Sequence, residues 1–464
     1  MNAPPLPFDL VIRGGTVVTA DSMARADVGI VGEQIAAIGP DLRGRQELDA
    51  TDKLVLPGGI DAHVHLTLPD AHESEPHTCD DFYSGSRAAA HGGVTTIGNM
   101  TFPWLGQTLL DAIERDAADA TRNSVVDVIL HAVLTDPETQ PLADIPQLAA
   151  RGHTSLKMFT SFAGFTTQPE IYLEAMRLAA EAGMITLIHC EDAAMLTHAT
   201  ARLMADGRGA IANYALSRPI AAEAVATARA AAFAELTGAP TYIVHLSSGA
   251  ALEEVRRGRA AGAPLTVETR PLYLYLTEER FAAPDGAKYI GQPPLRTAAD
   301  VAALWRGLAD GEINTVCTDH YAWHYADKVV PGMTVETIRP GVADLETLMP
   351  MLYSEGVNKG RISANRFVAL TSTNAAKLFG LFPRKGTIAP GADADIAIWD
   401  PHLAKPVRAA EMCSNSDYSV YEGWAVTGWP VTTISRGDII FADGQVTTDR
   451  GRGRLPHRAE TRPL

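Results

Sequence analysis

Two histidines separated by one residue, His63 and His65, have the side-chain type and the spacing of a metal site. The apolar run Leu54-Val55-Leu56 precedes them and predicts a strand. Side chains of an extended chain repeat every second residue, so both imidazoles point the same way and can reach one metal ion. An isolated pair of this kind is equally typical of two ordinary surface or core histidines. The interpretation therefore depends on further ligands.

Four more candidate ligands lie in or directly after apolar segments: Lys157, His189, His245 and Asp319. Each has an ordinary alternative role. A lysine can pair with a buried carboxylate, a histidine can be satisfied in the core, and an aspartate can begin a helix. With His63 and His65, however, they make four imidazoles, one amine and one carboxylate at the ends of five predicted strands. We interpret this set as the ligands of two divalent ions.

Lys157 lies inside the apolar segment Ser155-Leu156-Lys157-Met158-Phe159. A charged amine is costly to bury there, so we expect the pKa of Lys157 to fall. The neutral amine can react with carbon dioxide, and the product, N6-carboxylysine, is an anion with two oxygens that can bridge two ions. We therefore predict a carbamate on Lys157.

The predicted ligand set implies a hydrolytic chemistry. Two ions about 3.5–4 Å apart can hold a bridging hydroxide and polarise a carbonyl. Asp319 can bind one ion, take the proton of the attacking hydroxide and pass it to the leaving nitrogen. Nitrogen and oxygen ligands without cysteine fit zinc, manganese or cobalt and do not choose among them. We expect zinc, with manganese or cobalt as alternatives.

The surrounding pattern predicts the fold that brings these residues together. From residue 58 to about 380, eight apolar segments alternate with Ala-rich amphipathic stretches, which is typical of a (β/α)8 barrel with its site at the C-terminal strand ends. Short strands at both chain ends predict a small β-sandwich. We expect a sandwich domain from residues 1–57 and 384–450, a barrel from 58–383, and a C-terminal arm at 451–464 without a core of its own, which frays or wraps a neighbouring subunit.

The net charge and composition of the chain limit the kinds of molecule that we expect it to bind. The chain has 464 residues, 39 Lys and Arg against 55 Asp and Glu, and a formal net charge of −16. This acidity argues against nucleic-acid and anionic-membrane partners. We see no signal peptide, no apolar run of about 20 residues, and no disulfide framework among four cysteines. We expect a cytoplasmic protein with a small-molecule substrate.

At this point the chain resembles the amidohydrolase superfamily, and within it the dihydropyrimidinase/hydantoinase/allantoinase group of cyclic-amide hydrolases. The resemblance runs nearly end to end and includes these motifs: Leu156-Lys157-Met158-Phe159, His245-Leu246-Ser247-Ser248, Pro293-Pro294-Leu295-Arg296, Thr318-Asp319-His320 and Asn415-Ser416-Asp417-Tyr418-Ser419. It implies that His63 and His65 bind the more buried ion together with Asp319, which is the catalytic base. It implies that His189 and His245 bind the other ion, that Lys157 is the carbamylated bridge, and that the enzyme is a homotetramer or homodimer.

Three positions depart from the hydantoinase pattern, in which a tyrosine, a serine and an asparagine contact the substrate. They are Phe162, Gln292 and Pro340 here. We keep Phe162 and Gln292 as substrate-binding candidates, and add His320, which adjoins Asp319 and can orient it or touch substrate. Residues 67–77 with Phe102, Trp104 and Phe162 can form an apolar pocket, or these aromatics only pack loops.

We expect ring opening of a hydantoin or dihydropyrimidine at a C–N bond. The altered pocket leaves another cyclic amide, an imide, a lactam or allantoin as alternatives. A non-catalytic scaffold related to dihydropyrimidinase is a further alternative, which the intact ligand set disfavours.

Overall fold

The computed structural model of the chain describes residues 7–67, 78–136, 139–461 and 464. The chain begins with short strands: β1 (Phe8–Arg13), β2 (Thr16–Val18), β3 (Met23–Arg25), β4 (Asp27–Val31), β5 (Gln34–Gly39), β6 (Gly44–Asp49) and β7 (Leu54–Pro57). Strands β4 and β5 form an antiparallel hairpin in which Val31 faces Gln34. Gly32 supplies the left-handed backbone of its turn, with φ of 56°.

The middle of the chain forms a parallel sheet whose strands follow chain order. Its strands are β8 (Gly59–Val64), β9 (Val94–Thr101), β10 (Asp127–Val133), β11 (Ser155–Phe159), β12 (Ile185–His189), β13 (Thr241–Ile243), β14 (Leu265–Thr269) and β15 (Thr315–Val316). Where the first strand meets the segment after the last, the Asp319 N–H donates to the His63 carbonyl at 2.8 Å and the His65 N–H to the His320 carbonyl at 2.8 Å. The predicted (β/α)8 barrel is therefore confirmed.

The apolar run Leu54–Leu56 forms a strand, as predicted. The run Leu54–Leu56 does not lead into the site as a barrel strand, because β7 pairs with strands of another sheet. The chain then passes Gly58, where an added Cβ would lie 2.2 Å from the Thr95 hydroxyl oxygen. The next strand, β8, contains His63 itself.

Helices follow most of the barrel strands and cover the outside of the barrel. They are α1 (Phe82–His91), α2 (Leu109–Asn123), α3 (Asp144–Ala150), α4 (Ala163–Thr167), α5 (Pro169–Glu181), α6 (Ala193–Ala205), α7 (Tyr214–Ser217), α8 (Ile220–Thr237), α9 (Gly249–Ala261), α10 (Pro271–Tyr275), α11 (Ala298–Ala309), α12 (Tyr325–Lys328), α13 (Leu348–Leu352), α14 (Ala364–Val368) and α15 (Asn374–Leu378). Thr108 and Asp111 cap α2 reciprocally, and Thr297 and Asp300 do the same for α11. None of the helices in the described part of the chain has the length and apolar character needed to cross a bilayer.

The chain returns to strands after the barrel: β16 (Ile396–Pro406), β17 (Ala425–Ser435), β18 (Asp438–Ala442) and β19 (Gln445–Val446). They share one sheet with β2, β3 and β7, and β1, β4, β5 and β6 form a second. The join is antiparallel, with Ile396 facing Pro57. The small β structure is thus built from both chain ends, as expected. The proposed domain bounds at residues 57/58 and 383/384 stay a prediction.

The segment expected to be an arm packs on its own chain. The Gly453 N–H donates to the Ser124 carbonyl at 2.8 Å, and the Val128 N–H donates to the Arg454 carbonyl at 2.9 Å. Arg458 is buried, and its guanidinium donates to the Ser155 hydroxyl at 2.9 Å. Backbone and guanidinium hydrogen bonds therefore hold this segment to the N-terminal end of the barrel, and Leu455 packs against the hydrophobic core.

Candidate metal centre

The first group of predicted ligands meets at the C-terminal end of the barrel. Asp319 Oδ1 lies 2.8 Å from His65 Nε2 and 3.2 Å from His63 Nε2. One ligand atom from each of the three residues lies within 4.8 Å of the other two. Both histidines point to the same carboxylate oxygen, as the alternation of side chains along an extended chain requires.

The second group lies beside the first. His189 ends β12, and its Nδ1 lies 2.9 Å from His245 Nε2. The His63 and His245 ring centroids are 5.5 Å apart, so the two groups share one pocket. Burial lowers the pKa of His189, and it lowers the pKa of His245 well below its usual range. Neutral imidazoles, the form that binds metals, are thereby favoured at both positions.

Lys157 stands between the groups, on β11. Its side chain is fully buried, and its Nζ has no hydrogen-bond partner among the described residues. The face of the Phe159 ring lies beside it, with the ring centroid 4.8 Å from Nζ. Burial lowers the pKa of Lys157 to about 8. A buried amine without a partner is costly unless something else completes its surroundings.

Two buried carboxylates that the sequence reasoning missed orient the histidines. His63 Nδ1 donates to Glu268 at 2.8 Å, and His189 Nε2 donates to Glu191 at 2.8 Å. Because each carboxylate accepts the ring hydrogen, the other ring nitrogen presents its lone pair to the site. Burial opposes the charged form of Glu191, but the Arg218 guanidinium lowers its pKa to about 2. A glutamate inside an apolar strand segment, such as Glu268, was the available sequence signal.

Two of the predicted ligands sit in strained backbone. His245 has φ of 39° and Asp319 has φ of 53°, in the left-handed region that residues other than glycine rarely adopt. Such strain persists where the surrounding structure enforces it, and it concentrates at functional sites. It also turns the residues that follow His245 and Asp319 away from the strict alternation of a strand.

His320 illustrates this turn. It is buried, its Nε2 donates to Asp80 at 2.9 Å, and its Nδ1 accepts from the Asp344 N–H at 3.2 Å. Both ring nitrogens are therefore used within the protein, and His320 does not line the cavity over the six residues. Its side chain braces the segment after β15, and the expected contact with substrate stays a prediction.

A cavity of about 240 Å³ opens over the six predicted ligands. Beyond them it is lined by Phe102, Phe159, Ser161, Phe162, Gln292, Tyr321, Pro340 and Gly341. The Phe159 and Phe162 rings stack with centroids 4.6 Å apart. All three positions that depart from the hydantoinase pattern thus border the cavity. Trp104 does not line it, and residues 68–77 lie outside the described part of the chain.

The side chains present fit a pair of divalent ions. They offer four imidazoles and a carboxylate, no thiolate, and a buried amine whose surroundings are incomplete. Such a nitrogen and oxygen set suits zinc, manganese or cobalt. With ions bound, the arrangement can activate water and polarise a carbonyl beside an apolar wall.

Comparison with known proteins agrees with this geometry. The model of the Amidohydrolase family matches residues 54–440. The chain is 39% identical over 456 residues to a D-phenylhydantoinase of Escherichia coli, which covers 97% of this chain and 98% of the relative.

Solved structures of similar proteins include a D-hydantoinase from a Bacillus species, with TM-score 0.92, 38% identity, and coverage of 98% of this chain and 100% of the other. They also include an L-hydantoinase (dihydropyrimidinase) from Arthrobacter aurescens, with TM-score 0.88, 30% identity, and coverage of 97% and 100%. The resemblance inferred from the motifs is confirmed, and the chain belongs to the amidohydrolase family.

Proposed function

We propose that this chain is a two-metal cyclic amidohydrolase that opens a C–N bond of a hydantoin-like or dihydropyrimidine-like ring. The observation that carries the proposal is Lys157, a fully buried amine without a described hydrogen-bond partner, facing four imidazoles and a carboxylate. A purely structural lysine would be paired there. The names of the relatives, hydantoinase and dihydropyrimidinase, support the same reaction class.

In this proposal His63, His65 and Asp319 hold one ion, and His189 and His245 hold the other. Lys157, as N6-carboxylysine, would offer its two oxygens as further ligands. Carbamylation removes the need to bury an unpaired ammonium, because the amine becomes part of an anion that the ions neutralise. We propose zinc as the native metal, with manganese or cobalt as alternatives.

The bound ions supply Lewis acidity, which lowers the pKa of water and polarises the ring carbonyl. Asp319 does the proton chemistry: it accepts a proton from water as the oxygen attacks the carbonyl carbon. It then donates that proton to the ring nitrogen as the C–N bond breaks, leaving a carboxylate and a free N–H. Glu268 and Glu191 keep the lone pairs of His63 and His189 directed at the site.

The cavity wall favours a ring with an apolar face. Phe162 has no hydroxyl, and Pro340 has no backbone N–H, so neither can donate to a substrate carbonyl. The Gly341 N–H is already donated to the Ile290 carbonyl at 3.0 Å. Gln292 can both donate to and accept from a ring amide, which presents its N–H and C=O on one edge. The alternative substrates are a cyclic imide such as phthalimide, a lactam, and allantoin.

We also propose a cytoplasmic location, since all four cysteines are unpaired. We propose a homotetramer or homodimer on the basis of the family resemblance. We further propose that residues 1–57 with 384–450 form one domain and residues 58–383 the other. No nucleic-acid or membrane partner is proposed, in keeping with the net charge of −16.

The test is metal content and ring opening, before and after Lys157→Ala. Wild-type protein prepared with bicarbonate and zinc or manganese is assayed on hydantoin, dihydrouracil, allantoin, phthalimide and succinimide. We expect about two ions per chain and activity on one of these rings, and an activity loss of about 1,000-fold or more in the variant.

Short carboxylic acids such as propionate give the matched control. A carboxylate has the two oxygens of a carbamate, so added acid should restore part of the activity of Lys157→Ala. A variant that retains two ions and full activity would contradict the role of Lys157, and wild-type protein that opens none of the rings would contradict the proposed reaction.

A further inference from the structure

Arg270 is a buried cation that the six-ligand scheme does not use. It follows β14 directly and precedes α10. Its side chain is fully buried, and its Nη1 donates to Asp319 Oδ2 at 2.9 Å. It does not border the cavity, so it touches the site only through Asp319.

The two oxygens of Asp319 are therefore divided between two surroundings. Oδ1 faces His65 Nε2 at 2.8 Å and His63 Nε2 at 3.2 Å, on the predicted metal side. Oδ2 faces the guanidinium. A charge-assisted hydrogen bond of this kind is short and directional, so it fixes the rotation of the carboxylate. It is also the one hydrogen bond to Oδ2 among the described residues, so without it only the contacts of Oδ1 orient the carboxylate.

The guanidinium is itself held from two sides. It lies over the Tyr273 ring, 5.6 Å from its centroid. An added Cβ at Gly291 would lie 3.0 Å from Nη1, so a side chain there would push the guanidinium away. Tyr273 donates its hydroxyl hydrogen to the Pro293 carbonyl at 2.6 Å. Arg270 and Tyr273 thus brace the loop that carries Gln292 to the cavity.

The guanidinium also interacts electrostatically with a second buried carboxyl group, that of Asp344. Asp344 is fully buried, and its charge and that of Arg270 act on each other. Nε and Nη2 of Arg270 have no hydrogen bond to the described residues.

We propose that Arg270 is a positioning residue that holds the carboxylate of Asp319 with Oδ1 toward the metals and ties this orientation to the loop bearing Gln292. The inference rests on the proposed function in one respect, that Asp319 carries the proton. The orientation itself does not depend on it.

The test compares Arg270→Met, which removes the hydrogen bond and the charge, with Arg270→Lys, which keeps one donor and the charge. Misplacing a catalytic group by about 1 Å costs about 100-fold in rate. We therefore expect Arg270→Met to lower kcat by about 10- to 100-fold with KM changed by less than about threefold, and metal content to stay at the wild-type level. Arg270→Lys should recover most of the loss.

Arg458→Met is the matched control. Arg458 is equally buried but lies at the opposite end of the barrel, against Ser155 and the Leu130 carbonyl. We expect this variant to lose stability yet keep the kcat of the folded fraction. Equal losses of kcat in Arg270→Met and Arg458→Met would overturn the inference, as would an unchanged kcat in Arg270→Met.

Crystal structures of the variants give a readout that is independent of activity. In Arg270→Met we expect Asp319 to rotate and the Oδ1 contact with His65 to lengthen, and in Arg270→Lys to persist. If Arg270→Met does not fold, the test depends on Arg270→Lys. A rotated Asp319 side chain together with full activity in that variant would contradict the positioning role of Arg270. Inactive wild-type protein with Asp319 oriented as described would count against the proposed function only.

Discussion

Each end of the barrel holds a buried group of charged side chains, and the two groups differ in whether their charges are already paired. The upper cluster is the six predicted ligands at the C-terminal strand ends: His63, His65, Lys157, His189, His245 and Asp319. The lower cluster is a group at the N-terminal end: Asp127, Lys385, Asp393, Asp395 and Arg436. Each contains three side chains spaced closely enough to hold a metal ion.

The lower cluster is complete in itself. Lys385 Nζ contacts Asp127 at 2.8 Å, Asp393 at 3.2 Å and Asp395 at 2.5 Å. The Arg436 guanidinium also pairs with Asp127, and its backbone N–H donates to Asp395 at 2.7 Å. Two cations and three carboxylates satisfy each other without an added ion. The cluster joins the start of β10 to the segment before β16, which fastens the barrel to the sheet from the chain ends.

The upper cluster has the opposite character. Its one lysine has no described partner, and two of its imidazole nitrogens, in His189 and His245, lie 2.9 Å apart. Spacing alone therefore does not identify a metal site. A buried amine without a hydrogen-bond partner among the described residues is the better indicator, because such a group is costly unless something else completes its surroundings.

The largest expected effect tests the lower cluster. Lys385→Met leaves three buried carboxylates with one cation, and breaking a buried ion pair in this way costs about 3–5 kcal/mol. We expect a drop of that size in the free energy of unfolding, measured by urea denaturation, with kcat of the folded protein unchanged. Zinc should raise the melting temperature of the variant and of wild type by the same amount, because it binds at the upper cluster and Lys385 lies in the lower cluster.

Lys53→Met is the control for this change. Lys53 makes a partly exposed ion pair with Asp400 at 3.0 Å. Such a pair contributes about 0–1 kcal/mol, so the control should lose little stability. Equal losses in Lys385→Met and Lys53→Met would mean that the lower cluster is not the completed structural unit described above.

The second prediction tests the upper cluster in metal-free protein without bicarbonate. Burial lowers the pKa of Lys157 from 10.5 to about 8, so the folded state binds this proton more weakly than the unfolded state. Below pH 8 the fold must bury an ammonium, at a cost on the order of 3 kcal/mol. We therefore expect Lys157→Met to be more stable than wild type by up to that amount at pH 7.

The difference should shrink as pH rises from 8 toward 10.5, because the wild-type amine then loses its proton in both states. Urea midpoints of chelator-treated wild type and variant across this range measure it. If Lys157→Met lost as much stability as Lys385→Met, Lys157 would be a paired structural lysine like Lys385. The proposed difference between the two clusters would then be wrong.

The same contrast explains what the sequence could reveal. The barrel and the convergence of the ligand residues followed from apolar segments ending in polar residues, since parallel strands align their C-terminal ends. Glu268 and Arg270 were missed because they continue an apolar strand, and their partners, His63 and Asp319, lie far away along the chain. Only the folded chain reveals which buried charges compensate each other.

The prediction that His320 orients Asp319 or touches substrate depends on its place next to Asp319 in the sequence. The left-handed backbone at Asp319 breaks the alternation of side chains, so a neighbour in sequence does not share its direction. The prediction of a C-terminal arm depended on composition alone. Composition does not indicate that the buried Arg458 guanidinium donates a hydrogen bond to Ser155. Long-range backbone partners and local strain were therefore the features beyond the reach of sequence patterns.

The smallest expected effect concerns substrate preference at the cavity wall beside the upper cluster. Phe162→Tyr adds a hydroxyl at a ring that borders the cavity and stacks on Phe159. A hydrogen bond to a substrate carbonyl contributes about 0.5–1.5 kcal/mol, so kcat/KM for hydantoin should rise by about 2- to 10-fold. Phe102→Tyr makes the same change on another wall and should give no gain. If both variants gained equally, or neither did, the wall at Phe162 would not distinguish substrates, and the choice of ring would have to come from Gln292.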